Sequence, residues 1–207
     1  MTVYDVTMPI HAGMAVYKNK EELKPKIEMV RTIDQGSNES RIILYSHSGT
    51  HVDAPYHMLK DGYKLEDIPV KKLYGKCRVL DMTYVEDCIK EEDLRKFVVE
   101  RGDFVFFKTK NSLEDGFNFE FVYLSAEAAQ YLVDKGVEVV GLDALSIERN
   151  SPEHLTHQVL MNHDVLIVEG LRLKEVPEGK YMAVIAPLLI VGGDGSPARV
   201  LLIENEE

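Results

Sequence analysis

The sequence predicts an α/β fold: one domain, residues 1–207, carrying a mixed, strand-rich sheet. Residues 103 to 142 read strand, helix, strand, a succession that favours some parallel pairing. Beyond them, one helix candidate at 153–163 is followed by three apolar runs, 164–171, 181–191 and 199–203, so strands outnumber helices. A chain of 207 residues lies near the size of one domain and can bury about two-thirds of its unfolded surface in a single core.

Residues 3–8 form a short strand that ends at Pro9. The charged stretch Lys18 to Lys26 is exposed, and Ile27 to Ile33 is an extended segment. Gly36-Ser-Asn-Glu-Ser is a turn signal, after which Arg41 to His47 is a strand that delivers a histidine cluster. Asp61-Gly62 makes a turn, Cys77 to Asp81 a strand, Glu91 to Phe97 a short helix and Asp103 to Lys108 a compact apolar strand. The loop from Thr109 to about Glu120 has no periodic pattern and is placed to shape a pocket. Ser125 caps a helix over Ala126 to Lys135, and Gly136 suits its left-handed end. Val137 to Leu142 is a buried strand, Pro152 opens the next helix, and Arg199 to Ile203 closes the sheet. The glycine-rich run Gly192 to Ser196 lacks GxGxxG order and precedes a strand, so it reads as a tight turn and not a phosphate loop. No repeat or linker is visible.

The formal charge of -11, from 35 acidic and 24 basic residues, supplies no basic stripe for a nucleic-acid backbone. Cys77 and Cys88 are too few to staple the domain, which points to a reducing cytoplasm. No leader pattern opens the chain, and no run reaches the roughly 18 to 20 apolar residues of a membrane span. Neither secretion nor membrane insertion is expected.

The segment His47-Ser-Gly-Thr-His51-Val-Asp53-Ala-Pro-Tyr-His57 gathers three imidazoles and a carboxylate within eleven residues of a chain with seven histidines. Neutral imidazole nitrogens and carboxylate oxygens are the ordinary ligands of a divalent cation. Gly49 and Pro55 rule out the helical His-Glu-x-x-His arrangement. On an ideal strand His47 and His51 lie too far apart for one ion, at about 3.3 Å per residue, so a turn or bulge at Gly49 must bring them together. A second half comes from elsewhere: His157 on the helix at 153–163, and Glu169 in the apolar strand Val165-Leu-Ile-Val-Glu-Gly-Leu171. A carboxylate inside a strand is costly to bury without a cation, a proton or several donors. Glu169 is therefore either a metal ligand or an edge residue facing water. Asp53 could bridge two ions about 3.5 to 4 Å apart. His57 stands near enough to act as general base and acid, with a fifth ligand or a hydrogen-bond partner as the other reading. His154 and His163 are surface residues or outer partners. No GxSxG elbow or activated cysteine competes, which leaves hydrolysis by metal-activated water.

The same run, His47 through His57, resembles the signature of the cyclase-like metal-dependent hydrolases, the family that contains bacterial kynurenine formamidase and isatin hydrolase. Asp5-Val-Thr-Met-Pro9-Ile resembles its opening segment, Gly141-Leu-Asp143-Ala-Leu-Ser146 its central strand and loop, His157 with Glu169-Gly-Leu its second ligand block, and Tyr181 to Pro187 with Gly192 to Pro197 its closing part. The resemblance covers nearly the whole chain. It implies a swivelling β/β/α fold, a homodimer or larger assembly, and two divalent ions per subunit, Zn²⁺ or Mn²⁺. It assigns His47, His51 and Asp53 to one ion, Asp53, His157 and Glu169 to the other, and the catalytic role to His57. Its substrates are small amides or lactams: an aryl formamide such as N-formylkynurenine, an intermediate of tryptophan catabolism, or alternatively isatin or another lactam or lactone. A flat aromatic substrate needs apolar walls, and without tryptophan these fall to residues such as Tyr17, Tyr56 and Phe117. Arg41, Lys110 or Arg149 could pair with a substrate carboxylate. A non-catalytic metal-binding protein is the rival reading of the same cluster.

Overall fold

The computed structural model describes residues 1–204. Its strands are β1 (Val3–Asp5), β2 (Lys26–Arg31), β3 (Glu39–Ile43), β4 (His51–Asp53), β5 (Tyr74–Asp81), β6 (Cys88–Ile89), β7 (Phe104–Lys108), β8 (Tyr123–Leu124), β9 (Val139–Leu142), β10 (Leu166–Glu169), β11 (Gly179–Pro187) and β12 (Gly195–Glu204). The helices are α1 (Glu91–Leu94), α2 (Ala126–Lys135) and α3 (Leu155–Asn162). The main sheet runs β1-β12-β11-β5-β7-β9-β10-β4, and β4 returns to pair with β12, so seven strands close a barrel. β5, β7, β9 and β10 are mutually parallel, whereas β4, β11 and β12 join antiparallel. The sheet is therefore mixed, as its sequence pattern indicates.

Alternation along the strands creates two cores. Phe104, Phe106, Val139, Leu166, Val168, Val52, Ala183 and Val200 belong to one cluster, which draws on every strand of the ring and fills the barrel. Their neighbours Val105, Phe107, Val140, Leu142 and Ile167 point outward, where Leu94 of α1, Ala128, Ala129 and Leu132 of α2, and Leu160 and Met161 of α3 cover them. Ser125 caps α2 by accepting from the Ala128 N–H at 3.1 Å. Buried Asp143, just after β9, accepts from Thr109 and Ser112, backbone and hydroxyl in each case, and so anchors the start of the long loop after β7.

Three elements differ in extent from the sequence reading, two of them for reasons of strand pairing. The strand expected over residues 41–47 ends at Ile43, because β3 pairs only with β2 in a hairpin whose residues are all exposed. The strand expected over 181–191 ends at Pro187, where Pro187 and Pro197 withhold two ladder donors; Leu188 to Val191 form an exposed tip, and β12 begins at Gly195 inside the expected turn. The helix expected over 91–97 is a single turn, Glu91–Leu94.

Candidate metal centre

β4 places the centre. It is only three residues long, and it inserts between β10 and β12 in the register Glu169↔His51, Ile167↔Asp53 and Pro197↔His51. Val52 enters the barrel core, so His51 and Asp53 share the opposite face, alongside Glu169. α3 packs on that face and supplies His157. The approach to β4 needs Gly49 at φ +64, and Gly170, at φ +69, lies so close that a Cβ there would sit 2.3 Å from the Gly49 carbonyl oxygen. Thr50 secures the contact by donating to the Gly170 carbonyl at 2.6 Å. The chain reversal before β4 thus brings His47 back to the carboxylates, and the short helical turn Pro55–His57 carries His57 over them.

The inner atoms converge. His51 Nε2 lies 3.4 Å from Asp53 Oδ1 and 3.3 Å from Glu169 Oε2. His157 Nε2 lies 3.7 Å from Asp53 Oδ2 and 3.3 Å from Glu169 Oε1. His47 Nδ1 meets Asp53 Oδ1 at 2.8 Å. His47, His51 and Asp53 form one group of potential ligand atoms and Asp53, His157 and Glu169 another, each spanning no more than 4.8 Å. His51, Asp53, His157 and Glu169 are buried, while His47 and His57 face the cavity.

Each of the imidazoles His47, His51 and His157 has its outer nitrogen occupied. His51 Nδ1 donates to the Gly49 carbonyl at 2.8 Å, His157 Nδ1 to Glu148 at 2.6 Å, and His47 Nε2 to Asp194 at 3.0 Å. This outer ring fixes the tautomers so that the remaining nitrogens face the carboxylates, the arrangement that orients histidine toward a metal. Two buried inner atoms, His51 Nε2 and Asp53 Oδ2, have no hydrogen-bond partner. The gaps of 3.3 to 3.7 Å from His51 and His157 to the carboxylates of their own groups are long for charge-assisted hydrogen bonds, yet two ligands at about 2.1 Å from one tetrahedral ion lie about 3.4 Å apart. The residues fit a divalent cation.

Charge in the metal-free cluster agrees. Burial opposes protonation of His47, but Asp53 and Asp194 outweigh it and raise its pKa to about 9. His51 and His157 are likewise raised against the cost of burial, by Asp53, Glu169 and, for His157, Glu148. Burial pushes Asp53 up, but His157 and His47 hold it well below the usual carboxylate range. Imidazolium protons thus stand in for a cation, and metal binding would displace them. His57 goes the other way: burial, reinforced by His47 and His157 against the pull of Asp53, lowers its pKa.

A cavity of about 360 Å³ opens onto the cluster, walled on its apolar side by Val16, Tyr17, Leu23, Tyr45, Met58 and Leu145. Of the expected wall residues Tyr17 lies here, Phe117 lines a small adjoining cavity and reaches Tyr17 edge to face at 5.3 Å, and Tyr56 lines neither, its ring lying under Lys64. Arg41, Lys110 and Arg149 are elsewhere, paired with Glu28, Glu86 and Asp87. His154 lines the cavity and shares Glu148 with His157, whereas His163 bonds the Val159 carbonyl on the surface. Sequence reasoning missed Asp194, Glu148, Tyr45 and Leu23: Asp194 lies 147 positions from His47 in an ordinary turn, Glu148 and Tyr45 lie near His157 and His47 but outside any motif, and Leu23 stands in a charged stretch. An acidic residue among glycines directly before a strand was the available signal for Asp194.

Residues 4–149 match the family model described as "Putative cyclase". A kynurenine formamidase of Erythrobacter litoralis is 32% identical over 206 residues, covering 98% of this chain and 94% of that protein. A solved structure described as a "potential metal-dependent hydrolase with cyclase activity" is 51% identical and superposes with a TM-score of 0.92, covering 100% of this chain and 99% of the other. Isatin hydrolase A from Labrenzia aggregata shares the fold, with a TM-score of 0.88 at 21% identity over 99% of this chain and 94% of that one.

Proposed function

The chain belongs to the cyclase family of metal-dependent hydrolases, and from that premise we propose that it removes the formyl group from an aryl formamide such as N-formylkynurenine. It is a metal-dependent hydrolase of carbon–nitrogen bonds other than peptide bonds. The observation that carries the reading is the pair of buried, unpartnered atoms, His51 Nε2 and Asp53 Oδ2, inside a ring of outer hydrogen bonds at the floor of a cavity with apolar walls.

We assign His47, His51 and Asp53 to one divalent ion and Asp53, His157 and Glu169 to a second, with Asp53 between them. Bound there, Zn²⁺ or Mn²⁺ would supply Lewis acidity and a lowered pKa for water. The rest of the chemistry falls to side chains. Tyr17, Tyr45, Leu23 and Met58 hold the aryl ring and exclude water from it. His57, neutral at pH 7 because its pKa is lowered, takes the proton from the attacking water and returns it to the amine nitrogen as the C–N bond breaks. Formate and the free aryl amine leave.

Residues 1–207 act as one catalytic domain in this reading. A homodimer is supported by the β2–β3 hairpin, where exposed Ile27 and Ile42 stand opposite each other with exposed Met29 on the same face. No helix among the described residues is long and apolar enough to cross a membrane, and we place the enzyme in the cytoplasm. The test is turnover of N-formylkynurenine, simple aryl formamides and isatin by protein loaded separately with Zn²⁺ and Mn²⁺. Faster opening of isatin than of any formamide would replace the formamidase reading by a lactamase one. No turnover with either metal would leave a metal-binding protein without catalysis.

A further inference from the structure

Asp194 sits in the turn between β11 and β12, and that turn is built against the metal centre. The Asp194 carbonyl accepts from the Ala54 N–H at 3.0 Å, the Gly193 carbonyl accepts from the Leu65 N–H at 3.0 Å, and the Gly192 N–H donates to Glu66 at 2.9 Å. At Gly195 a Cβ would stand 2.7 Å from His47 Cε1 and 2.8 Å from the Val52 carbonyl oxygen, so the chain passes directly behind the His47 ring. The backbone is fixed on both sides of the aspartate. Its side chain enters the cavity wall, where Oδ2 lies 3.0 Å from His47 Nε2 and 3.5 Å from His57 Nδ1. The two rings face each other at 3.9 Å with 36° between their planes. One carboxylate oxygen therefore addresses two imidazoles.

We propose that Asp194 is a positioning residue: its Oδ2 holds the hydrogen on Nε2 of His47 and on Nδ1 of His57, so that one carboxylate aligns a metal ligand and the proton-transfer histidine together. A carboxylate only accepts, so His47 Nε2 donates to it, and in this assignment His57 Nδ1 does so too across the longer 3.5 Å contact. His47 is then left to ligate through Nδ1, the atom beside Asp53. His57 is left with an unprotonated Nε2, the tautomer that can take a proton. An amide at 194 weakens this hold, because its one acceptor oxygen is uncharged and an NH₂ donor takes the place of the other. The inference rests on the metal-hydrolase reading above and adds a coupling between ligand and base that the ligand set alone does not require.

The experiment compares wild type, Asp194→Asn, Asp194→Glu, His57→Ala and the double variant Asp194→Asn/His57→Ala. Each is scored for kcat and KM on an aryl formamide, for zinc affinity by chelator competition, and for the His57 tautomer by ¹⁵N NMR of the zinc-loaded protein. Asp194 has a side chain 42% exposed and lies outside both cores, so the fold is expected to survive; Asp194→Ala takes the place of the amide variant if it does not. For Asp194→Asn, kcat is expected to fall about tenfold to a hundredfold with KM little changed, and zinc affinity about tenfold, the range for losing an outer partner of a metal-bound histidine. The His57 spectrum should change from one Nδ1–H tautomer to a mixture, and Asp194→Glu should recover part of the loss. In the His57→Ala background the amide substitution should lower kcat little further. Wild-type zinc affinity and tautomer in Asp194→Asn, or an undiminished fall in kcat without His57, would overturn the proposal while the hydrolase reading stood. A wild type that binds no zinc and turns over no formamide would remove both.

Discussion

His51 and Glu169 are directly opposed on antiparallel strands, with Nε2 of one 3.3 Å from Oε2 of the other and both side chains buried. The pairing sets Glu169 between two imidazoles, since its other oxygen faces His157 and also accepts from the Ile147 N–H at 2.5 Å. A buried carboxylate in that position is tolerable only while positive charge lies on its inner side.

Replacing Glu169 by Gln keeps the shape and removes the charge. Metal content, measured by mass spectrometry after gel filtration, is expected to drop from close to two ions per chain to one or fewer. Turnover should fall at least about a hundredfold, the upper range for removing groups that hold or orient a metal. A variant with full metal occupancy would contradict the assignment of Glu169 as ligand.

The metal-free protein should lose stability as pH rises. His47 has its folded pKa raised from 6.5 to about 9, so the stabilisation from its protonated form is complete below 6.5 and is lost as pH passes through about 9. His51 and His157 shift in the same direction and add to the effect. Asp53, held low, contributes the opposite limb: its stabilisation is present above 3.8 and disappears as pH falls further. Thermal melts of chelator-treated protein between pH 6 and 10 should show a falling Tm, and saturating zinc should flatten it, because the metal replaces the protons. A Tm that rises over that window would invert the sign and sink the prediction.

Much of this centre was legible in the sequence for local reasons. Gly49 and Pro55 excluded a helix through the histidines and required a kink, which appears as the left-handed Gly49. A glutamate inside the run Val165 to Leu171 was conspicuous because burial of its charge demands compensation. Long-range contacts were not legible. β4 has only three residues, two of them polar, and is a strand only because β10 and β12 flank it. Asp194 approaches His47 across 147 positions, and its setting among glycines before a strand marks the residue without telling which histidine it meets. The apolar residues 188–191 carried a strand pattern past Pro187, since composition does not record where a ladder runs out of donors.

The contact between the Gly49 and Gly170 segments should be intolerant of a single methyl group. Ala at 170 must adopt a positive φ, a strain of about 1 to 2 kcal/mol, and must also push the Gly49 carbonyl away. Denaturant unfolding of the metal-free variant is expected to show a loss of about 2 kcal/mol or more, together with weaker zinc binding because β4 moves. A neutral substitution would show that the approach is looser than the 2.3 Å clearance implies.

The pH dependence of turnover tests His57 separately from the metal. As the proton acceptor it must be neutral, so kcat/KM should rise with pH along a limb whose midpoint is its own pKa in the free enzyme. Burial lowers that pKa below 6.5 in the metal-free protein, and bound cations push in the same direction by repelling imidazolium charge. The acid limb should therefore centre below 6.5. His57→Ala should keep close to two metal ions per chain, lose about 10² to 10⁴ in kcat and show no such limb, because what remains no longer passes a proton through an imidazole. Two outcomes would place the base elsewhere: a limb centred above 6.5, or one that survives in His57→Ala.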